Sequence, residues 1–333
     1  MSEITFSDIL ITPQYSEVMS RSNVDIGTLL HESVHLDFPV ISANMPHITG
    51  PKMAICMDSY GGMGVLHRFN TVKEAVQDFE SAVFREQPQE GINIGVALGV
   101  KESDMERFEA LYRVGARLFI IDVAHGHHVL VKNMIDRVKS RHNDVVVMAG
   151  NVATAEGALD LTEWGADILK VGIGPGAVCM TRRNTGVGAP QFSALKEIAS
   201  VAKVPFIADG GIKSPGDVAK ALIYADAVMV GSFIAGTSET PGKVFRNEGG
   251  DFYKVYGGNA SAETKVGNGQ ESKFVEGITK IVRFQGHVKH ILREIRDGLQ
   301  SAFSYSGASN LKEFQAKVKW RIISGAGKEE SKI

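Results

Sequence analysis

The 333-residue sequence has few cysteines and tryptophans, two of each, and no excess of charge of either sign. Two cysteines are too few for the disulfide framework of a small secreted protein, and Cys56, in the apolar stretch KMAICMDSYGG, is interpreted as a core residue. Lysine and arginine number 36 against 38 aspartates and glutamates, which argues against a nucleic-acid or anionic-membrane partner. No apolar run approaches the roughly 18 residues of a membrane span, and the N-terminal residues lack a signal-peptide pattern. We therefore expect a cytoplasmic protein that binds neither nucleic acid nor membrane.

Short apolar runs, rich in β-branched residues, recur along the chain, and a stretch with helical periodicity follows them. Hydrophobic residues make up 44% of the chain and charged residues 22%, enough for a large buried core. The runs are FPVISAN (38–44), GMGVLHR (62–68), INIGVALG (92–99), RLFIIDVA (117–124), VVVMAGN (145–151), ILKVGI (168–173), PFIADGG (205–211) and AVMVGS (227–232). Such alternation is typical of a parallel sheet buried on both faces. Eight units predict an α/β fold, a single (β/α)8 TIM-barrel domain over residues 1–333, rather than an open doubly wound sheet.

Polar residues stand at or just beyond the carboxyl ends of these runs. In a barrel those ends meet on one face, which is where catalytic groups lie, whereas an open sheet would spread them along a line. The residues are Asn44, His67, Asp122, His125, Asn151, Asp209 and Ser232. Their placement favours the barrel and predicts a site on that face.

The segment 250–286 follows the eighth run and shows little periodicity. A connection of this length is usually functional, often as a lid. We therefore expect an active-site flap over 250–286, before a helical pattern resumes at HVKHILREIRDGLQSAFSY (287–305).

The sixth run leads into VGIGPGAVCMTRRNTGVG (171–188), a glycine-rich loop around Cys179. Glycine in such a run indicates tight turns or a close approach of the backbone to a ligand. A cysteine acts as a nucleophile only as thiolate, and nearby N–H groups together with Arg182 and Arg183 can lower its pKa. The alternative is a small buried thiol without chemistry. Because the loop lies on the predicted catalytic face, Cys179 is a candidate nucleophile, with Thr181 close to it in the sequence.

Two further glycine-containing loops follow the last two strands, IADGGI (207–212) and VGSFIAG (230–236). Loops in these positions of a barrel often bind phosphate through backbone N–H groups. Asp209 beside them can accept hydrogen bonds from ribose hydroxyls; its alternative interpretation is a helix N-cap. The loops together predict a phosphorylated, nucleotide-like ligand.

The stretch DVAHGHHVLVKNM places Asp122 among three histidines. A zinc site is one interpretation, because histidine is a common zinc ligand. His125 and His127 lack i, i+4 spacing, and no nearby pattern completes a ligand set. A polar surface that faces a cofactor is the favoured interpretation.

Four motifs resemble the IMP dehydrogenase/GMP reductase family: VGIGPGAVCMTRRNTGVGAPQ, GNVATAEG, IADGGIKSPGDVAKAL and YGGNAS. The resemblance runs through nearly the whole chain. It implies a barrel, usually tetrameric, that handles a purine nucleotide through a cysteine adduct at C2. It also implies that Cys179 is the nucleophile and that Thr181 and Glu276 handle the proton transfers.

The resemblance further implies the binding residues. Those for the purine nucleotide are Gly174, Gly176, Ala177, Asp209, Gly211, Gly231, Ser232, Tyr256 and Gly258. Those for the nicotinamide cofactor are Asp122, Val123, Ala124, Lys273 and Gly277. A monovalent-cation site, for K⁺, is compatible with the resemblance at the carbonyl groups of Gly172, Gly174 and Cys179.

Two features favour the reductase branch, in which GMP and NADPH give IMP and ammonia. The chain runs from Phe69 to Ile92 without room for the CBS modules that dehydrogenases generally carry there. The region that matches the dehydrogenase flap reads NGQESKFVEG and lacks the arginine that activates water. A short IMP dehydrogenase, which would oxidise IMP to XMP with NAD, is the alternative. A nucleotide-binding barrel without catalysis is a third interpretation.

Three residues bear on the details of this resemblance. Arg68 stands where many reductases carry lysine, and arginine stabilises charge but does not readily donate a proton. Asn259 stands where an apolar or small residue is common near the base. Lys273 favours NADPH over NADH, although it can equally be a solvated loop charge.

Overall fold

Eight parallel strands close into a barrel in the order in which they occur along the chain. The computed structural model describes residues 3–84, 93–258 and 277–331. The strands are β1 (Val40–Ser42), β2 (Met63–Leu66), β3 (Ile94–Leu98), β4 (Leu118–Asp122), β5 (Val146–Val152), β6 (Ile168–Val171), β7 (Phe206–Asp209) and β8 (Ala227–Val230). Each coincides with one of the eight predicted runs. The closed barrel confirms the TIM-barrel prediction and excludes the open sheet.

Both faces of these strands are buried, which explains their apolar sequences. All seven residues of β5 are buried, as are all five of β3. One face fills the barrel interior, and the other packs against the surrounding helices. The helices are α1 (Pro51–Ser59), α2 (Val72–Val83), α3 (Ser103–Arg113), α4 (Val129–Arg141), α5 (Ala155–Glu163), α6 (Thr181–Thr185), α7 (Gln191–Ala199), α8 (Pro215–Ala221), α9 (Val288–Tyr305), α10 (Leu311–Lys317) and α11 (Gly325–Glu329). None of the helices in the described part of the chain combines the length and apolarity that crossing a membrane requires.

Local signals set the helix starts. Thr71 caps α2: its side-chain oxygen accepts from the Glu74 backbone N–H at 3.2 Å, and the Glu74 carboxylate accepts from the Thr71 N–H at 2.8 Å. This reciprocal pair satisfies two N–H groups that the first helical turn leaves without partners. Ser214 caps α8, accepting from the Asp217 N–H at 3.2 Å, with Pro215 as the first helical residue. The starts of these two helices are therefore determined by residues close to them in the sequence.

Several elements lie outside the barrel. An N-terminal strand, Ile9–Thr12, pairs antiparallel with Lys319–Ile322 near the C-terminal end of the described chain. Three-residue 3₁₀ turns lie at Phe6–Asp8 and Arg21–Asn23, and a hairpin is formed by Thr28–His31 and Val34–Leu36. Aromatic rings join this outer sheet to α7, with centroids 5.0 Å apart for Phe192 and Trp320. Buried Phe6 reaches the loop after β7, because a side chain at Gly211 would lie 3.4 Å from its ring.

The segment predicted as one loop, 250–286, contains two strands. Phe252–Gly257 and Thr279–Arg283 pair antiparallel, and Phe245–Arg246 adds a third strand. The plain-loop prediction is corrected there because Phe252–Gly257 and Thr279–Arg283 are short strands that pair with each other across more than twenty residues, a partnership that local sequence patterns do not reveal. Residues 259–276, the centre of the predicted flap, lie outside the described residues, so the flap itself stays a prediction.

Candidate active site

A cavity of about 400 Å³ opens at the carboxyl ends of the barrel strands. It gathers nearly all the residues singled out from the sequence as binding or catalytic. Its lining includes Arg68, Asp122, Val123, Ala124, Asn151, Gly172, Gly174, Gly176, Ala177, Cys179, Thr181, Asp209, Gly211, Gly231, Ser232, Tyr256, Gly258 and Gly277. Glu276, Lys273 and Asn259 lie outside the described residues, and their roles stay predictions. The individual roles of the lining residues are likewise still predictions, although their common location is observed.

The thiol of Cys179 lies in the loop between β6 and α6. It donates to the Thr181 hydroxyl oxygen at 3.2 Å, so these two side chains are already in hydrogen-bond contact. The Cys179 N–H donates to the Gly176 carbonyl at 3.0 Å and closes the turn. Thr181 is buried as the first residue of α6, which fixes the position of its hydroxyl. The arrangement offers a nucleophile with a hydroxyl beside it for proton relay.

Glycine is required at two positions of this loop. Gly172 has φ +145°, and a Cβ there would lie 2.1 Å from the Asp209 carbonyl oxygen. Gly174 has φ +88°, and a Cβ there would lie 2.4 Å from the side chain of Arg182. Any other residue would meet both backbone strain and a clash. The backbone at Gly172 and Gly174 therefore lies too close to β7 and to Arg182 for any side chain to fit between them.

Arg182 contacts both ends of the glycine-rich loop. Its guanidinium donates to the Ala189 carbonyl, and its side chain packs against Gly174 and Gly188. Arg183 is exposed. The expectation that Arg182 supplies positive potential to Cys179 stays a prediction, and the observed hydrogen bond of Arg182 joins the two ends of the glycine-rich loop.

The base of the predicted flap contacts the Cys179 loop through backbone atoms. Gly277 forms an isolated antiparallel bridge with Cys179. Next to it, the Ile278 N–H donates to the Val178 carbonyl at 3.1 Å, and the Gly258 N–H donates to the Ile278 carbonyl at 3.1 Å. Gly277 and Ile278 are thus joined to the loop that carries the thiol, and Gly258 is bonded to Ile278.

A buried lysine forms the floor of the cavity. Lys170, in β6, has a side chain that is 3% exposed, and its ammonium lies 2.9 Å from the Asp122 carboxylate and also contacts Asp209. Burial acts to lower the pKa of Lys170, but the two carboxylates outweigh it and raise that pKa, so the ammonium stays charged. Burial also acts to raise the pKa of Asp122, and the Lys170 charge outweighs this effect and holds that pKa below its usual range. Sequence reasoning missed Lys170; the signal is one charge in the apolar run ILKV.

Two side-chain amides hold Asp209 and the start of the glycine-rich loop in place. The Asn151 side-chain N–H donates to the Asp209 carboxylate at 2.8 Å and to the Gly172 carbonyl at 2.7 Å. The Gln191 amide donates to the Val171 carbonyl at 2.8 Å and to the Asp209 carbonyl at 3.2 Å. Because Ser214 caps the following helix, the N-cap interpretation of Asp209 is wrong. Its carboxylate instead faces the cavity with fixed orientation.

Tyr256 approaches the cavity from the antiparallel sheet. Its side chain is buried, and its hydroxyl lies 3.3 Å from where a Cβ at Gly231 would be. Burial, together with the charge of Asp209, raises the pKa of the phenol well above its usual value. The hydroxyl therefore remains a hydrogen-bond donor at the edge of the predicted phosphate loop.

The histidines of the sequence motifs have structural contacts. His127 bonds to Asp160 at 2.7 Å, and His128 caps α4 by accepting from the Leu130 N–H at 3.1 Å. His125 is exposed. His67 lies outside the cavity lining, and burial, with the nearby Arg107 charge, lowers its pKa to about 4. In the described ranges no cluster of three histidine, cysteine or acidic residues could hold a metal, so the zinc interpretation gains no support from the geometry.

A family model described as the IMP dehydrogenase/GMP reductase domain matches residues 3–333. The chain belongs to this family. It is 39% identical over 331 residues to a GMP reductase of Acidovorax sp. (strain JS42), covering 98% of this chain and 97% of that protein. It is 34% identical over 382 residues to an inosine-5′-monophosphate dehydrogenase of Cryptosporidium parvum, covering 99% and 94%. The protein is therefore an oxidoreductase of purine nucleotide metabolism from a family that uses a nicotinamide cofactor.

A solved structure agrees with this assignment. The chain superposes with a TM-score of 0.91 on a crystal structure of a Trypanosoma brucei GMP reductase variant in complex with guanosine 5′-monophosphate. The identity is 28%, and the match covers 100% of this chain and 98% of the other. Within the family, GMP reductases and IMP dehydrogenases both match this chain over nearly its full length.

Proposed function

We propose that this protein is a GMP reductase, which converts GMP, NADPH and a proton to IMP, ammonia and NADP⁺. The observation that carries the proposal is the Cys179 thiol, which contacts Thr181 in the mouth of a cavity whose floor presents the carboxylates of Asp122 and Asp209. Reductases from Acidovorax and Leptothrix, at 39% and 38% identity, align from end to end and support the same branch.

The cavity suits a purine mononucleotide. Gly210 and Gly211 have φ of +93° and +82°, so the backbone after β7 turns with its N–H groups free of Cβ obstruction. These groups and the loop at Gly231 and Ser232 hold the 5′-phosphate in the proposal. The Asp209 carboxylate accepts from the ribose hydroxyls, and Tyr256 adds a phenolic donor. Gly174, Gly176, Ala177 and Gly258 line the remaining wall.

The chemistry begins at Cys179. The thiolate attacks C2 of the guanine ring, and the amino group leaves as ammonia once its nitrogen has taken up a proton. Thr181, in contact with the thiol, relays the proton, and Glu276 supplies it as the general acid. The resulting adduct is resolved when hydride reaches C2 and the thiolate departs, which regenerates Cys179 and releases IMP.

The residues beside Asp122 fit a nicotinamide cofactor. The Asp122 carboxylate is held ionised by Lys170, so it can accept hydrogen bonds from a ribose. Val123, Ala124 and Gly277 line the same opening. NADPH, when bound, supplies the hydride. Asp122, Val123, Ala124 and Gly277 would hold it, and Lys273 would meet the 2′-phosphate.

A monovalent cation, K⁺, belongs to the proposal as well. Its ligands would be the carbonyl groups of Gly172, Gly174 and Cys179. The Gly172 carbonyl accepts one hydrogen bond, from Asn151 at 2.7 Å, and a carbonyl oxygen has a second lone pair for a cation. We further propose a homotetramer in the cytoplasm, on the family resemblance alone.

IMP dehydrogenase is the second candidate, because the Cryptosporidium parvum dehydrogenase is also matched over 99% of this chain. The absence of arginine from NGQESKFVEG argues against it, since the dehydrogenase reaction must activate water. The contact between the Cys179 thiol and the Thr181 hydroxyl argues against the third interpretation, a nucleotide-binding barrel without catalysis.

One paired assay tests the assignment. The protein is incubated with GMP and NADPH, and separately with IMP and NAD⁺, while the absorbance of the reduced nicotinamide is followed and the products are separated by chromatography. We expect NADPH oxidation that depends on GMP and yields IMP, and no sustained formation of XMP. XMP production at a comparable rate would overturn the reductase proposal in favour of the dehydrogenase, and no turnover in either mixture would favour the non-catalytic barrel.

A further inference from the structure

One ammonium group joins two carboxylates that the proposed function assigns to different ligands. Asp209, at the end of β7, faces the ribose of the nucleotide, and Asp122, at the end of β4, faces the cofactor. Lys170 of β6 contacts both, at 2.9 Å to Asp122 and in a short contact to Asp209. These three strands are not mutual neighbours, since β5 separates β4 from β6. The ammonium therefore links β6 to its neighbour β7 and, past β5, to β4.

The burial of this cluster makes the pairing strong. The Lys170 side chain is almost wholly buried, and those of Asp122 and Asp209 are mostly buried. In such a setting charges are poorly screened, and removing one partner leaves the others uncompensated. Without the ammonium, the two carboxylates would lie close together at the floor, and among the described residues Arg68 would remain as a cation acting on Asp122. They would repel and leave the orientation in which each can accept from a ligand.

We infer that Lys170 is a positioning residue that couples the nucleotide half of the site to the cofactor half. The inference rests on the proposed function for the identity of the two ligands. Lys170 holds each carboxylate in its acceptor geometry through the same ammonium, so a change at Asp122 is felt at Asp209. Asn151 donates to the same Asp209 oxygen, Oδ2, at 2.8 Å and helps to hold that carboxylate.

A double-mutant cycle on nucleotide binding tests the coupling without using turnover. Binding of GMP alone is measured by calorimetry for the wild type, Asp122→Asn, Lys170→Met and the double variant. We expect Lys170→Met to weaken GMP binding by at least about tenfold, and Asp122→Asn to weaken it a few-fold although Asp122 faces the cofactor. In the Lys170→Met background, Asp122→Asn should cause no further loss, because the link between the carboxylates is already gone and one uncompensated charge is removed. Additive effects would overturn the inference.

Lys254 provides the matched control. It is also a buried lysine, but in the described part of the chain its ammonium donates to backbone carbonyls alone, those of Thr237 at 3.0 Å and Thr240 at 2.5 Å. Lys254→Met should lower thermal stability as any loss of a buried hydrogen-bonded group does. Its effect on GMP binding should add to that of Asp122→Asn. If Lys254→Met reproduces the non-additivity of Lys170→Met, the coupling is not specific to Lys170 and the inference fails.

Kinetics and a conservative variant complete the test. Lys170→Met should raise KM for GMP and for NADPH together, with a smaller change in kcat, whereas Lys170→Arg should recover most of the GMP binding because a guanidinium can bridge two carboxylates. If Lys170→Met does not fold, the cycle is measured with Lys170→Arg in its place. An Asp122→Asn substitution that leaves GMP affinity unchanged in both the wild-type and the Lys170→Arg background then refutes the coupling.

The proposed function and the inference can fail separately. A wild type that binds IMP and turns it over with NAD⁺ would refute the proposed function, while the same cycle, run with IMP, still decides the inference.

Discussion

The two ends of the barrel use buried charge in different ways. At the carboxyl end, Asp122 and Asp209 share Lys170 and face a cavity. At the amino end, Asp167 precedes β6 and accepts from the Val147 N–H at 2.7 Å and from Lys139 at 2.5 Å. Asp226 occupies the equivalent place before β8 and accepts from the Phe206 N–H at 2.9 Å. The charged groups at the carboxyl end surround a cavity that can hold a ligand, whereas those at the amino end form hydrogen bonds between adjacent strands.

This difference predicts a division of effects among charged and reactive side chains. Substitution of such side chains at the carboxyl end should alter catalysis and binding more than stability, and substitution of those at the amino end should do the reverse. The side-chain experiments below therefore measure both activity and thermal stability, and a mixed outcome for a side chain at either end would weaken the comparison.

The largest expected effect is at Cys179. Cys179→Ser should reduce GMP reduction below detection, because a serine hydroxyl is a poor nucleophile without a strong base. GMP should still bind, since the proposed phosphate and ribose contacts lie on other loops. The assays are NADPH oxidation and GMP calorimetry. Cys56→Ser is the control and should retain activity. Substantial reduction of GMP by Cys179→Ser would exclude covalent catalysis through this residue.

Glu276 should come next. Glu276→Gln keeps the size and hydrogen bonding of the side chain but removes the transferable proton, and loss of one general acid typically costs about 10²–10⁴-fold in rate. GMP reduction should fall by that factor, while a single turnover of IMP with NADP⁺, which forms the adduct without deamination, should be less impaired. Rapid-mixing measurements give the rates of GMP reduction and of the IMP/NADP⁺ half-reaction separately.

Glu271→Gln, in the same segment, is the matched control for Glu276→Gln and should have little effect. A role for Glu276 only as an exposed ion pair would be worth about 1 kcal/mol or less. An equal fall in both half-reactions, or a fall that reaches about tenfold in neither of them, would contradict its assignment as the deamination acid.

A backbone substitution tests how tightly the thiol loop is held against the barrel. Gly172→Ala combines a left-handed φ with a Cβ 2.1 Å from the Asp209 carbonyl, so it should lower the free energy of unfolding by about 2–4 kcal/mol and also reduce activity. Gly176→Ala is the matched control, because its Cβ would meet the Cys179 side chain at an ordinary 3.4 Å. Thermal melts of both variants decide the point. Equal stability of the two would show that the loop can move away from β7.

The smallest effect is expected at the amino end. Burial raises the pKa of Asp226 from 3.8 to about 6, so the native state binds more protons than the unfolded chain. The stability that this group contributes is present at low pH and is lost as the pH rises through about 6. Asp226→Asn should therefore stabilise the protein by about 1–2 kcal/mol at neutral pH and should confer no gain near pH 4.

Melting curves across this pH range check the prediction, and activity should be unchanged. Asp167→Asn is the control at the equivalent position and should instead lower stability at neutral pH, because it breaks the pair with Lys139. If Asp226→Asn stabilises the protein equally at every pH, the stabilisation does not come from removing an ionisable carboxylate, and the prediction is wrong.

The sequence by itself determined the barrel, the place of the thiol and the family. Eight apolar runs, the glycine-rich loop around Cys179 and the caps at Thr71 and Ser214 are local signals, because strand burial, tight turns and capping depend on residues close together in the chain. For the same reason, the polar residues that end successive strands could be assigned to one face before any distance was known.

Only the tertiary structure decided the partners of those residues. The contacts of Lys170 with Asp122 and Asp209, the pairing of Phe252–Gly257 with Thr279–Arg283, and the turn of Arg182 toward Ala189 all join groups whose approach depends on the closed barrel or on a folded loop. A charge inside an apolar strand does not reveal its counter-ions, since ion pairs form between groups that folding brings together, and their strength comes from burial that the finished core supplies.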